Sequence, residues 1–199
     1  MRVLAFSDLH RDLAACARIV AAAGTADLVV GCGDFASAHR GLEEVLAALA
    51  PVAAKAVWVP GNNESLEALA SAAAGSGATV LHGNSVERDG KVIAGLGGAV
   101  PPLPQIPWGS WDLTEAGAGA ALAGIGRADL LVLHSPPRGI ADRLAAHGHV
   151  GSVSIRAAVE RLQPALALCG HIHDCWGERG HIGATLVANL GPTVNWFEL

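Results

Sequence analysis

Short apolar runs alternate with segments of helical period along most of this chain, and the runs stop at residues capable of chemistry. The runs cover residues 3–7, 27–30, 56–59, 129–133 and 162–168. Segments 12–23, 41–50, 65–74, 113–122 and 153–162 lie between or beside them and read as helices. In the first of these, Leu13, Cys16, Ala17, Val20 and Ala21 fall on one face and Gly24 supplies the stop. Strand alternating with helix at this spacing predicts βαβ units and a largely parallel sheet. A further short strand is expected at 79–82.

The rhythm then breaks. Residues 86–94 carry Asp89-Gly90 between apolar-rich flanks, a strong hairpin signal. Residues 97–111 hold Pro101, Pro102, Pro104 and Pro107 together with Trp108 and Trp111, which predicts an irregular loop. Such long loops in compact domains are usually functional or mobile. Three readings stand: a wall over an active site, a partner or dimer surface, or plain packing. Strands at 184–188 and 193–198 close the chain around Asn189-Leu190-Gly191-Pro192. With no internal repeat and no linker, 199 residues suit one domain over 1–199 with a sizeable core.

Composition removes several classes of function. Hydrophobic residues make up 51% and charged residues 16%, which excludes a disordered chain. The mean hydropathy of +0.39 is carried by Ala, Val and Gly. No apolar run approaches the ~18 residues that a membrane span needs. Asp8 interrupts the N-terminus before a signal-peptide core could form, so a soluble cytoplasmic protein with no membrane partner is expected. A net charge of −5 without a Lys/Arg cluster argues against long nucleic acid as a ligand. Cys16, Cys32, Cys169 and Cys175 form no C-x-x-C pair and read as small buried thiols in a reducing compartment. Cys32 and Cys169 adjoin candidate ligands, which leaves a supporting or redox role open for them.

Five places just beyond strands carry the chemistry: Asp8-x-His10, Gly33-Asp34, Gly61-Asn62, His134 and His171-x-His173. Ligand sites in open α/β sheets lie at the carboxyl ends of strands. On a strand, His171 and His173 would face opposite ways. On a loop after Gly170 both can turn toward one point, and neutral imidazole is the commonest protein metal ligand. Singly, each place has an ordinary reading. Asp8 could cap the following helix, His10 could be a surface residue, Gly61-Asn62-Asn63 a turn, and His134 a core histidine. Together they offer seven oxygen and nitrogen donors, too many for one tetrahedral ion. Two ions roughly 3.5–4 Å apart, bridged by a carboxylate and a hydroxide, would use them all. Asp34 is the expected bridge, because a carboxylate has two oxygens and an imidazole one lone pair.

The ordered set resembles the calcineurin-like metallophosphoesterase superfamily. Its blocks D-x-H, G-D, G-N-H-[DE], H and G-H-x-H run across nearly the whole chain as Asp8/His10, Gly33-Asp34, Gly61-Asn62-Asn63-Glu64, His134 and Gly170-His171-Ile172-His173. A finer likeness to small bacterial and archaeal members covers His134-Ser135-Pro136-Pro137-Arg138-Gly139, His149-Val150-Gly151-Ser152, Leu168 to His173 and Asn189-Leu190-Gly191-Pro192. The resemblance implies an α/β fold, a four-layer α/β/β/α sandwich whose second sheet takes in the hairpin and the closing strands. It implies that Asp8, His10, Asp34 and His173 hold one metal, and that Asp34, Asn62, His134 and His171 hold a second. The mixed N/O donor set suits divalent transition metals (Mn above all, then Fe, Zn or Ni) better than Ca or Mg. The implied reaction is hydrolysis of a small phosphomonoester or phosphodiester by metal-activated hydroxide. Arg138 and His149 are candidates for contacting the substrate phosphate, with surface placement the competing reading; a homo-oligomer is also possible.

One departure bears on catalysis. Asn63 occupies the position of the histidine that protonates the leaving oxygen in this superfamily, and an amide supplies no proton near neutral pH. Arg11 and Asp12 likewise replace the Gly and Asn that follow D-x-H in many members. The alternative reading is therefore a catalytically weakened binding or scaffolding protein on the same fold, as the retromer subunit of this superfamily is.

Overall fold

The computed structural model describes residues 1–199. In chain order the strands are β1 (Arg2–Phe6), β2 (Leu28–Gly31), β3 (Ala56–Trp58), β4 (Thr79–Val80), β5 (Asn84–Arg88), β6 (Lys91–Leu96), β7 (Leu130–Leu133), β8 (Arg143–Leu144), β9 (Gly148–His149), β10 (Leu166–Cys169), β11 (Arg179–Ile182), β12 (Thr185–Asn189) and β13 (Asn195–Glu198). The α-helices are α1 (Leu13–Ala22), α2 (Leu42–Leu49), α3 (Leu66–Ala73), α4 (Glu115–Ala123) and α5 (Val153–Leu162). One sheet runs β13-β1-β2-β3-β4 and the other β11-β12-β10-β7-β6-β5, while β8 and β9 form a separate small hairpin. The inner strands of both sheets are parallel; β13, β11 and β5 join at the edges in antiparallel sense.

The period of two in the strands sorts side chains into three apolar layers. Val3 and Ala5 of β1 and Leu28 and Val30 of β2 face Ile93, Leu130, Val132 and Leu168 between the two sheets. The alternate residues Leu4, Phe6, Val29 and Trp58 pack with Ile19, Val45, Leu49 and Leu69 of α1–α3. On the far side Leu96, Leu131, Leu133 and Val187 pack with Ala118, Leu122, Ile155 and Val159 of α4 and α5. The result is the expected α/β/β/α sandwich, with one correction: of the two closing strands only β12 joins the second sheet, while β13 pairs with β1 at the edge of the first. With both faces covered, the central strands are continuously apolar, which is why they read as runs and not as alternating patterns.

Helix starts fall where short polar side chains can take an orphan amide. Asp12, Ser65, Thr114 and Ser152 accept from the backbone N–H groups of Ala15, Ala68, Gly117 and Ile155. Asp12, and not Asp8, is therefore the cap of α1. The apolar run 162–168 spans two elements: α5 continues to Leu162, Gln163 turns into the left-handed region at φ 44°, and β10 starts at Leu166 beyond Pro164. The 143–149 hairpin and β11 have no counterpart in the sequence reading. No helix is long and apolar enough to cross a membrane.

Candidate metal centre

β1, β2, β7 and β10, with the loop after β3, carry the candidate donors at their carboxyl ends. Asp8 and His10 follow β1, Asp34 follows β2, Asn62 lies past β3, His134 ends β7, and His171 and His173 follow β10. Reaching one point from so many strand ends demands sharp turns. Asp8, His10, Asp34 and His171 all adopt positive φ, between 44° and 69°. The glycines ahead of them are needed for close approach. A Cβ at Gly61 would lie 2.0 Å from Asp34 Oδ1, and one at Gly170 would lie 2.3 Å from Asp8 Oδ2.

All seven donors predicted from sequence come together. His10 Nε2 lies 3.2 Å from His173 Nε2 and 3.6 Å from Asp34 Oδ2. The other oxygen of Asp34, Oδ1, lies 3.6 Å from His134 Nε2. His134 Nε2 is 3.0 Å from Asn62 Oδ1, and its ring stands 4.9 Å from that of His171. His173 Nε2 reaches 3.9 Å from Asp8 Oδ1. Two compact groups result, Asp8/His10/His173 and Asp8/Asp34/His134. Asp8, Asp34, Asn62 and His134 are buried, while His10 and His173 edge onto the open cleft.

The surrounding hydrogen bonds test whether cations fit. His134 Nδ1 is 2.8 Å from Cys32 O, and His10 Nδ1 is 3.3 Å from Ala36 O. Carbonyls accept only, so in its neutral, metal-binding form each ring keeps its proton on Nδ1 and turns the Nε2 lone pair inward. Inward, those lone pairs meet other acceptors: His134 faces the Asn62 amide oxygen, and both His10 and His134 face Asp34. Acceptor set against acceptor in a buried site is relieved by a cation placed between them. The donor set therefore fits divalent metal.

Titration follows the same crowding. Burial pushes His171 down to about 3, and His134 beside it adds to this, so His171 stays neutral and free to ligate. Burial opposes charge on His134, but Asp34 and Asp8 raise it above the usual histidine value. Burial also opposes ionisation of Asp34, and His134 and His10 nevertheless hold it below the usual carboxylate range.

Several residues that support the donors carried no assigned role in the sequence. Glu64 is buried and accepts four backbone N–H groups, from Asp34 (2.8 Å), Phe35 (3.3 Å), Ala36 (2.9 Å) and Gly61 (2.7 Å). It was visible as the acidic end of the Gly61–Glu64 block. Burial and the neighbouring Asp34 push its carboxyl up to about 7, against the pull of the amides. Ser7 Oγ, His171 N and Trp176 Nε1 all donate to Asp8, and the Trp176 ring also stacks on His173 at 4.3 Å. Asn189 Nδ2 donates to the carbonyls of Gly170 and Ile172 and so braces the His171–His173 turn. Nothing in the sequence marks Trp176.

Asn63 lines the cleft, but both ends of its amide are occupied. Nδ2 donates to Asp34 Oδ2 (2.7 Å) and Oδ1 accepts from Ala38 N (2.8 Å), while its backbone N–H donates to Asp34 Oδ1 (2.8 Å). Arg138 and His149 do not line this cleft. Arg138 is exposed, and His149 Nδ1 donates to the buried Asp142 at 2.6 Å. All four cysteines are free and buried. Cys32 serves the site through its carbonyl, and burial pushes the Cys16 and Cys175 thiols up to about 11.

The long proline-rich loop closes one side. Trp111 N donates to Asn62 O, Val100 N to Ser135 Oγ, and His39 Nε2 lies 2.9 Å from Gly109 O. Leu103 and Trp108 thereby line a cleft of about 420 Å³ with His10, Asp34, Asn62, His171 and His173.

A sandwich of this layering with imidazoles and carboxylates gathered at its strand ends is the architecture of a phosphoesterase. The chain belongs to the calcineurin-like phosphoesterase superfamily, whose domain profile matches residues 1–197. That family is metal-dependent. Among solved structures, TT1561 of Thermus thermophilus superposes with a TM-score of 0.76 at 17% identity, over 98% of this chain and 97% of that one. A novel archaeal phosphodiesterase gives 0.51 at 16% identity, over 96% and 84%. Purple acid phosphatase PPD1 from yellow lupin seeds gives 0.56 at 13% identity, over all of this chain and 46% of that one. At these identities the likeness is one of fold. No curated protein matches the sequence significantly.

Proposed function

We propose that this chain is a dinuclear metal-dependent phosphoesterase, acting as one domain over residues 1–199 on a small phosphate ester. The observation that carries the reading is Asp34: one carboxylate oxygen is turned to His10 and the other to His134, each at 3.6 Å. Divalent ions, when bound, polarise the phosphoryl oxygens and supply a nucleophile at neutral pH. Asp8, His10 and His173 would hold one ion, Asn62, His134 and His171 the other, and Asp34 both.

The protein's own groups fix this arrangement. Cys32 O and Ala36 O select the tautomers of His134 and His10. Asn63 grips both oxygens of Asp34, so it acts as a positioning residue and not as the donor of a proton to the leaving group. Leu103 and Trp108 form one side of the cleft. Neighbouring folds are named for a phosphodiesterase and a phosphatase, so both ester classes belong in the assay. A scaffolding protein would have no use for seven converging donors, which supports the enzyme over that alternative.

The test is a panel of aryl phosphomonoesters and diesters on metal-stripped protein, with Mn²⁺, Fe²⁺, Zn²⁺ or Ni²⁺ added back. Hydrolysis should vanish on chelation and return with Mn²⁺. Full activity in metal-free protein would overturn the mechanism. Failure of every metal to restore any activity would return the chain to the scaffold reading.

A further inference from the structure

A second cavity, of about 390 Å³, lies beside the cleft that holds the metal donors, and Leu103 and His171 line both. One wall is the proline-rich loop from Val100 to Pro104; the other is Leu144 and Val150 from the β8–β9 hairpin, and Ile172 completes it. No Asp, Glu, Lys or Arg lines this space, and its only titratable side chains are His147 and His171. The hairpin wall rests on the buried cluster of Ala141, Ile172 and Cys175. It is fastened by Asp142, which is fully buried and accepts from Gly139 N, Gly151 N and His149 Nδ1. The opposite wall is pinned by the bond from Val100 N to Ser135 Oγ. Both walls are thus held by hydrogen bonds within the protein.

We propose that this cavity is the subsite for the organic group of the substrate, and that the natural substrates are phosphate esters of an apolar alkyl or aryl group. The proposal rests on the phosphoesterase reading. Because His171 is both a candidate donor and a wall of the cavity, an ester held by its phosphoryl group has this space beside its substituent. A sugar or nucleobase would need several polar partners, and apart from His147 and His171 the lining side chains are aliphatic or proline. A cavity of ~150 Å³ holds benzene, so the present one has room for a fused bicyclic ring or a medium alkyl chain. The Asp142–His149 pair acquires a role on this view, as the clamp that sets the hairpin wall.

The experiment is calorimetric binding of methyl-, butyl- and hexylphosphonate, which are not hydrolysed, to the Mn²⁺-loaded protein. Leu144→Asp, which charges the wall, and Leu144→Trp, which fills the space, are run alongside, with circular dichroism to confirm folding. Affinity should rise ~4-fold per methylene while chain is being buried. Both variants should lose that rise and keep the methylphosphonate affinity of the native protein. Methylphosphonate binding with no dependence on chain length would overturn the subsite and leave the phosphoesterase reading standing. A chain-length dependence that survives both variants would overturn it as well. Chain-dependent binding without hydrolysis of any ester in the panel would leave the cavity as an alkyl-binding site but sink the phosphoesterase reading, and with it the assignment of phosphate esters as substrates. If no phosphonate binds the loaded protein, the subsite falls, and the phosphoesterase reading falls with it only if no ester in the panel is hydrolysed either.

Discussion

Glu64→Gln is the substitution whose cost can be worked most directly from the structure. Glu64 Oε1 accepts from the amides of Asp34, Phe35 and Gly61, and Oε2 accepts from Ala36. Glutamine can keep its oxygen on the first three donors, which places its NH₂ group against Ala36 N–H. One buried donor is then left facing another, at about 1–3 kcal/mol, and the remaining three bonds lose their charge assistance. Against this, the variant removes a buried carboxylate that burial and Asp34 have already pushed up to about 7, which returns part of the cost. A net loss of about 2–3 kcal/mol follows, or roughly 4–12 °C in Tm for a chain of this size. Glu64→Ala orphans all four amides, and at 1–3 kcal/mol each it approaches the whole stability of a typical domain. Urea unfolding of metal-free protein would measure both, with Glu67→Gln on the first turn of α3 as the exposed control. A Glu64→Gln loss within about 0.5 kcal/mol of the control, the ordinary range for surface substitutions, would refute the view that this carboxylate organises the loops bearing Asp34 and Asn62.

Three further predictions follow from other contacts. Asn63→Ala should weaken metal binding about 10-fold and slow aryl and alkyl esters by the same factor; selective slowing of the alkyl esters would make Asn63 a leaving-group contact and not a support for Asp34. Trp176→Phe keeps a ring on His173 but loses the N–H to Asp8, so metal affinity measured by calorimetry should fall about 10-fold, and an unchanged affinity would strip Trp176 of that role. Glu115 accepts from Ser152 Oγ, Val153 N and Ser154 N at the start of α5. Burial opposes its ionisation, but those bonds hold it below the usual glutamate value. A depressed carboxylate contributes stability that is present above its unfolded pKa of about 4.5 and is lost as pH falls through the folded value. Glu115→Gln should therefore flatten the acid limb of the stability curve below about pH 4.5 and leave its slope near pH 7 unchanged; an acid limb as steep as that of the native protein would contradict this.

The parts legible in the sequence were those with a local cause. Central strands buried on both faces are continuously apolar, and the donors follow them directly, so position and chemistry could be read together. Elements set by distant contacts were not legible. The β8–β9 hairpin has two-residue strands, Arg143-Leu144 and Gly148-His149, with no alternation to detect. Its conformation depends on Asp142 bonding residues up to nine positions away. β11 is Arg179-Gly180-His181-Ile182, an edge strand whose ladder with β12 supplies what its composition does not. The same distinction divides the site. Its seven donors were named by residue type and spacing. Trp176, brought to Asp8 across 168 residues of chain, follows no pattern, and neither does the cavity beyond Leu103, whose walls come from three separate loops.

The backbone at the donors shows which part of the molecule bears the strain of assembling the site. Asp8, His10, Asp34 and His171 each take a left-handed conformation that only glycine adopts freely. At roughly 1–3 kcal/mol per residue, four such positions cost an amount comparable to the net stability of a domain. No loop could hold them unaided. Each is overdetermined by neighbours: His10 N bonds Asp34 O, Asp8 N bonds Gly33 O, and Glu64 gathers the amides of Asp34 and Gly61. The two strand-end loops thus strain each other into place, with three apolar layers beneath them. Divalent metal would add the opposite charge that this cluster of inward-facing acceptors calls for. Backbone strain and electrostatic crowding fall on the same residues, as expected where the fold has been drawn tight around a ligand and not around its own packing.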